Sequence, residues 1–271
     1  MTKRLREAKH FWELPYSERR KIVFASPESI RKYKNASSDL PPLFDDWKIS
    51  VAAATSITTL LIIYLQRQFV ARGITFAQPV PVAWADEFVL PPGHPRADVL
   101  YVAHPRDERL YIPAGDFHRY AFEQKFSEAV RLLMHLGATT LQVYQKKGWG
   151  HEFAAHLSAP LPAAEANVKA GAEKKKRKTG VLLYDAELEG TDEPALPEEG
   201  LLWYPHEPTW QNVAEGRLKF GLKSFSLTIH YTDDYGVNAE LAAKVADAGV
   251  EMGGNFDKHE ETIWRITGTF G

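Results

Sequence analysis

The 271-residue chain contains no cysteine. That excludes disulfides, thiolate zinc sites, iron–sulfur clusters and cysteine nucleophiles, and it suits a reducing compartment. Neither sign of charge is in excess: 33 Lys and Arg face 35 Asp and Glu, for a formal net charge of -2. The molecule as a whole is therefore no general nucleic-acid binder. Catalytic signatures are also missing. No GxSxG elbow accompanies the serines, and Gly171 to Gly180 carries lysines and a Lys178-Thr179 pair without the order of a phosphate-binding loop. His151-Glu152-Phe153-Ala154-Ala155-His156 has three residues between Glu and the second His, where a zincin has two. On a helix such a pair points about 140° apart and on a strand to opposite faces, so it closes no zinc site. A non-enzymatic protein without metal or cofactor is the expectation, with one enzymatic alternative. His94, His104 and His118 lie near Asp98, Asp107 and Asp116 in sequence, a composition from which acid–base sites are built. Both His-Pro-Arg runs, 94–96 and 104–106, otherwise read as turns.

What is present is local charge asymmetry. Residues 1–34 hold ten Lys or Arg against four Glu, with no apolar stretch of the secretory type, so the cytoplasm is the expected compartment. Ser17 and Ser26-Pro27-Glu28 mark helix starts, and 1–40 reads as a basic helical N-terminal segment. Arg19, Arg20 and Lys21 are its candidate contacts for an anionic lipid, an acidic protein or a nucleic acid. From Asp185 to Glu215 there are nine acids and no Lys or Arg, which reads as a solvated loop.

Longer patterns set the fold. Between Lys48 and Arg67 run eighteen uncharged residues, six of them Ser, Thr or Gln. A membrane span needs about 20 predominantly apolar residues, so a buried core helix from about 45 to 72 is the expectation over a span. Residues 80–84, 98–103 and 139–144 read as strands and 113–135 as a helix closed by Gly137. Within 222–271 the order is strand, helix and two strands, at 224–231, 238–248, 250–256 and 262–270. The fold class is α+β, an N-terminal helical segment on a mixed, largely antiparallel sheet with long hairpins, the body spanning 41–271.

Segment 151–189 is the most distinctive. Ala164, Ala166, Val168, Ala170 and Ala172 alternate with Glu165, Asn167, Lys169, Gly171 and Glu173, and Leu182, Tyr184, Ala186 and Leu188 alternate with Asp185, Glu187 and Glu189. Period two over about ten residues describes a strand with one apolar and one polar face. Lys174, Lys175, Lys176, Arg177 and Lys178 join the two runs, so 163–189 reads as an amphipathic hairpin with a basic tip, a helix over 162–174 being the competitor. In this hairpin pattern the chain resembles pore-forming proteins of the gasdermin or perforin-like kind. That resemblance implies a membrane-acting effector that associates with membranes on activation and assembles with copies of itself. The alternative is a soluble protein- or nucleic-acid-binding module using the same basic residues.

Overall fold

A computed structural model of the chain describes residues 11–28, 30–31, 57–150, 181–254 and 259–271. In chain order the elements are α1 (Tyr16–Arg19), β1 (Lys21–Ala25), α2 (Ile57–Ala71), β2 (Gln78–Pro81), a 3-10 turn over Val82–Glu87, β3 (Leu100–His104), β4 (Asp107–Pro113) and α3 (Phe117–His135). There follow β5 (Ala138–Lys147), β6 (Val181–Glu187), a 3-10 turn over Tyr204–His206, α4 (Pro208–Phe220), β7 (Ser224–Tyr231), α5 (Ala239–Asp247) and β8 (Thr262–Phe270). The fold is α+β. Two compact units divide the chain, one of Met1–His118 with Tyr235–Lys258, the other of Arg119–Asp234 with His259–Gly271.

The first unit is built on a sheet of order β2-β1-β3-β4, in which only the β1–β2 pair is parallel. The basic N-terminal segment carries helix, α1 among it, and also an element that its helical reading did not include: Lys21–Ala25 is an inner strand, and Ile22, Val23, Phe24 and Ala25 are all buried. A strand covered on both faces shows no alternation, so its signal shrinks to a short β-branched and aromatic run. β4 is likewise unforeseen, because Asp107, Glu108 and Arg109 give its start the look of a loop, while the His104-Pro105-Arg106 turn does fall at the expected place. The strand expected over 80–84 ends at Pro81 and passes into the 3-10 turn. Ile22, Phe24, Val80, Tyr101 and Tyr111 form the core. Phe88 meets Phe24 and Tyr111 edge-on, at ring centroids 5.6 and 5.1 Å apart. The described part of the uncharged run lies in α2, which buries Leu65 and, past the end of the run, Phe69. Among the described residues no helix is long and apolar enough to cross a membrane.

The second unit has an antiparallel sheet of order β6-β5-β8-β7, and β5, β7 and β8 fall where their short β-rich runs put them. Val181–Glu187, one arm of the expected hairpin, is a strand whose described partner is β5. The other arm and Lys174–Lys178 lie outside the described residues. Trp264 of β8 receives Phe122 and Phe126 of α3 edge-on, at 4.9 and 5.2 Å. The 185–215 stretch is not all loop. Its end turns into α4, which starts at Pro208 and seats Trp210 and Ala214 in the interior.

Two charged residues of α3, one turn apart, hold that stretch in place. The carboxylate of Glu128, a residue only 5% exposed, accepts the backbone N–H groups of Leu202, Trp203 and Tyr204 at 2.8, 2.9 and 2.7 Å. Lys125, equally buried, donates to the carbonyl of His230 at 2.7 Å, pairs with Glu207 and sits over the Trp203 ring. A buried charge is tolerated only when its hydrogen-bonding capacity is filled, and here both are. Glu128→Gln turns one acceptor oxygen into a donor facing backbone N–H groups. Each hydrogen bond to a charged group contributes about 1.5–3 kcal/mol, so the variant should lose about 3 kcal/mol in urea unfolding. Unchanged stability would show that the three amides are satisfied otherwise.

Candidate functional site

The residues named from sequence go to different places. Arg19 is nearly enclosed: its Nε donates to the Leu14 carbonyl at 3.2 Å, its Nη2 pairs with Glu108, and its guanidinium lies over the rings of Trp12 and Tyr16. Arg20 donates Nη2 to the carbonyl of Tyr235 and stacks over the Tyr235 ring. Lys21 opens β1 and is half-buried. These three residues thus sit where the N-terminal strand meets the β3–β4 hairpin and the segment that begins at Tyr235.

The histidines and aspartates do not gather. His94 Nδ1 lies 2.6 Å from the Tyr101 hydroxyl, whose oxygen also accepts the Arg96 N–H at 2.7 Å. Nδ1 and the phenol share one proton between them, and burial followed by the Arg96 charge lowers the imidazole's pKa. His118 donates Nε2–H to the carbonyl of Val237 at 2.6 Å. His104, fully buried, accepts the Arg106 N–H at 3.2 Å. Asp98 pairs with Arg72 at 3.0 Å, and Asp107 accepts the Arg109 N–H at 2.9 Å. Among the described residues no three His, Asp or Glu side chains are placed to hold a metal ion. The Glu-His pair of 151–156 lies outside the described residues.

One arrangement that sequence reasoning missed links several of these groups. The 232–261 connection between β7 and β8 leaves the second unit, and its residues Tyr235–Lys258 belong to the first. There it is held along its length. Arg20 takes the Tyr235 carbonyl, His118 the Val237 carbonyl, and Arg72 the Gly249 carbonyl at 3.2 Å. The Leu100 N–H donates to Glu251 and the Glu251 N–H donates back to Asp98, each at 2.9 Å, while Gly115 donates to Met252 at 2.7 Å. Of the strand expected over 250–256, the described residues 250–254 hold a single parallel bridge, Val99 with Glu251, and 255 and 256 lie outside the described residues. Gly254 lies so close to Asp116 that a Cβ on it would stand 2.5 Å from the carboxylate.

The same segment buries Val237, Leu241, Val245 and Val250. Asn238 caps α5 by accepting the Leu241 N–H at 3.1 Å, and the i, i+4 pair Glu240–Lys244 occupies its exposed side. Both ends of the hold carry left-handed backbone. Tyr235 has φ 49° and Asp98 φ 56°, a conformation that costs a bulky side chain about 1–2 kcal/mol and an aspartate less. Arg20 and Arg72 are thus spent on strained points of the chain.

All four strand ends that carry long connections lie at one end of the second sheet. Gln145 pairs with Val181, Lys147 with Ile263 and Tyr231 with Thr262. Connections 148–180 and 232–261 therefore emerge side by side, from neighbouring hairpins. No family model, curated protein or solved structure matches the chain.

The burial of His104 holds its pKa down to about 4, the nearby Asp107 only partly opposing it. The folded protein thus binds this proton less readily than the unfolded chain, whose histidine titrates near 6.5. Stability should be level above pH 6.5 and fall as the pH drops from about 6.5 to 4, by up to about 3 kcal/mol. Urea midpoints across that range, for wild type and His104→Asn, check it. An equal slope in both proteins would assign the loss to other groups.

Proposed function

We propose that the protein is a non-enzymatic, membrane-acting effector of the pore-forming kind, whose two long connections are its membrane elements. The observation that carries this reading is their common exit from one end of the antiparallel β6-β5-β8-β7 sheet. Each connection is about 30 residues long, where a pair of transmembrane strands needs about 9–11 residues per strand. Extended, the two would continue all four strands in the same antiparallel order.

Sequence pattern supports both connections. The first has the alternation over 164–173 and the basic run Lys174–Lys178, which meets an anionic surface with about 1 kcal/mol per cation. The second alternates as well, with one exception: Val237, Ala239, Leu241, Ala243 and Val245 are apolar, and Asn238, Glu240 and Lys244 interleave with them, while Ala242 breaks the polar phase. The same residues thus satisfy the helical spacing of α5 and the period of a strand. In the soluble form the second connection is kept as α5 on the first unit. Its four buried apolar side chains are worth on the order of 6–12 kcal/mol, so it leaves only for a comparably apolar surface. A bilayer is one.

The chain's lack of cysteine permits a direct test. A Cβ built on Gly253 lies 3.6 Å from Cβ of Val99, within the range a disulfide spans, but at a left-handed φ of 74° and 3.1 Å from Pro113 Cβ, so the reduced pair is first shown to be folded and to leak as wild type does. Dye release from anionic and neutral liposomes is compared for wild type, for Val99→Cys/Gly253→Cys oxidised and reduced, and for the variant with Lys174, Lys175, Lys176, Arg177 and Lys178 changed to Gly or Ser. Release should require anionic lipid, fall about tenfold or more without the basic run, vanish in the oxidised pair and return on reduction. Wild type that is folded and neither leaks nor sediments with liposomes would sink the membrane reading, leaving the soluble binding module. Equal leakage by the oxidised pair would sink only the release of the second connection.

A further inference from the structure

The edge of a sheet presents outward N–H and C=O groups that can pair with another chain, and natural proteins blunt such edges. Among the described residues three of the four edges are blunted. β2 carries Pro79 and Pro81. β4 is covered by Val89, whose N–H donates to the Arg109 carbonyl and whose carbonyl accepts the Tyr111 N–H, each at 2.9 Å. β6 carries the exposed acids Asp185 and Glu187 and pairs with β5 through a shift of register. β7 has none of these devices. Ser224–Tyr231 holds no Pro, Lys, Arg, Asp or Glu, and it runs along β8 in one unbroken register.

That register fixes which groups β7 turns outward. Lys223, one residue before the strand, accepts the Phe270 N–H at 2.9 Å. In the alternation of an antiparallel ladder, Phe225, Leu227, Ile229 and Tyr231 therefore direct their main chain at β8, and Ser224, Ser226, Thr228 and His230 direct theirs away from it. Lys125 takes the His230 carbonyl. Among the described residues the outward main-chain groups of Ser224, Ser226 and Thr228 make no hydrogen bond, and both serines are exposed. At the end of α4, just before the strand, Phe220 is 78% and Leu218 41% exposed. An uncharged, regular edge beside bare apolar side chains has the character of a surface that another chain covers.

The charges at the two ends of β7 indicate which chain. Lys223 precedes the strand, and Asp233 and Asp234 follow it. Such a strand is complementary to itself run in the opposite direction. Turned about a twofold axis at Leu227, Ser224 faces the partner's His230 and Ser226 faces the partner's Thr228. Lys223 then comes diagonal to the partner's Asp233, within reach of a long side chain. Hydroxyl pairs and opposite charges are both favourable across antiparallel strands.

We propose that β7 pairs antiparallel with β7 of a second copy of the chain across a twofold axis, joining the two four-stranded sheets into one continuous sheet. The dimer forms without lipid and does not rest on the membrane reading.

Sedimentation equilibrium without lipid, over a wide range of protein concentration, compares wild type, Ser226→Pro, Lys223→Glu, Asp233→Lys and the double variant Lys223→Glu/Asp233→Lys, each shown to be folded by circular dichroism. Proline at 226 removes an outward N–H and leaves the β8 ladder whole, a place where an edge strand accepts it. Wild type should sediment as a dimer that dissociates on dilution. Ser226→Pro should weaken the dimer about tenfold or more, each single charge reversal should weaken it several-fold, and the double reversal should restore it. A wild type that stays monomeric at every concentration would overturn the proposal, as would a dimer that Ser226→Pro leaves unchanged. Larger assemblies in place of a dimer would overturn the twofold pairing. If Ser226→Pro does not fold, the charge pair decides alone, and a double reversal that fails to restore the dimer overturns it. A protein that dimerises in this way and never permeabilises liposomes would keep the dimer while the membrane reading falls.

Discussion

The Leu100 N–H that reaches the Glu251 carbonyl, answered by the Glu251 N–H on Asp98, decides where the chain between β7 and β8 runs. Two neighbouring antiparallel strands are ordinarily joined by a turn of a few residues. Here the joining segment is about 30 residues long and folds with the N-terminal unit. That single detour explains features with no local logic: the left-handed Tyr235 under Arg20, the left-handed Asp98 beside Arg72, and Gly254 packed against Asp116. Each sits where the segment enters, docks or ends. Strained backbone persists only where surroundings over-determine it, and here they are Arg20 on the Tyr235 carbonyl and Arg72 on the Asp98 carboxylate.

The second unit is stabilised differently. Its sheet needs no help from the detour, because α3 packs Phe122 and Phe126 on Trp264 and fixes the acidic stretch through Lys125 and Glu128. The proposed function asks that its strands remain as they are while their connections change conformation. In the proposed function this division of labour is the main point. One body supplies a constant four-stranded register, and each connection has a sequence compatible with more than one period.

Much of the fold was legible in the residues. Short β-rich runs at 139–144, 224–231 and 262–270 placed β5, β7 and β8, helical spacing placed α3, and Gly137, with φ 82°, ends it as a C-cap glycine does. β1 was hidden because a strand buried on both faces has no alternation, and β4 because its first three residues are charged. α4 was hidden by the acidic composition before it, although Pro208 followed by Trp210 and Ala214 is a fair start signal in retrospect. Of the site, Arg19 and Arg20 were named from charge alone. Of their partners, Tyr16 lies one helical turn from Arg19, whereas Glu108 and Tyr235 are distant in sequence, and no spacing rule could bring those two to the arginines. Period two in 237–245 was overlooked because the helix reading already accounted for those residues.

Hydrogen exchange at three amides tests the central claim most directly. Leu100, Glu251 and Gly115 each donate to, or from, the second connection, whereas the Ala103 N–H of β3 donates to the carbonyl of Arg20, the residue just before β1. On addition of anionic vesicles, the first three should lose protection while Ala103 keeps it. Undiminished protection at Leu100, Glu251 and Gly115 in vesicle-bound protein would contradict the account, since the connection would then never have left its place.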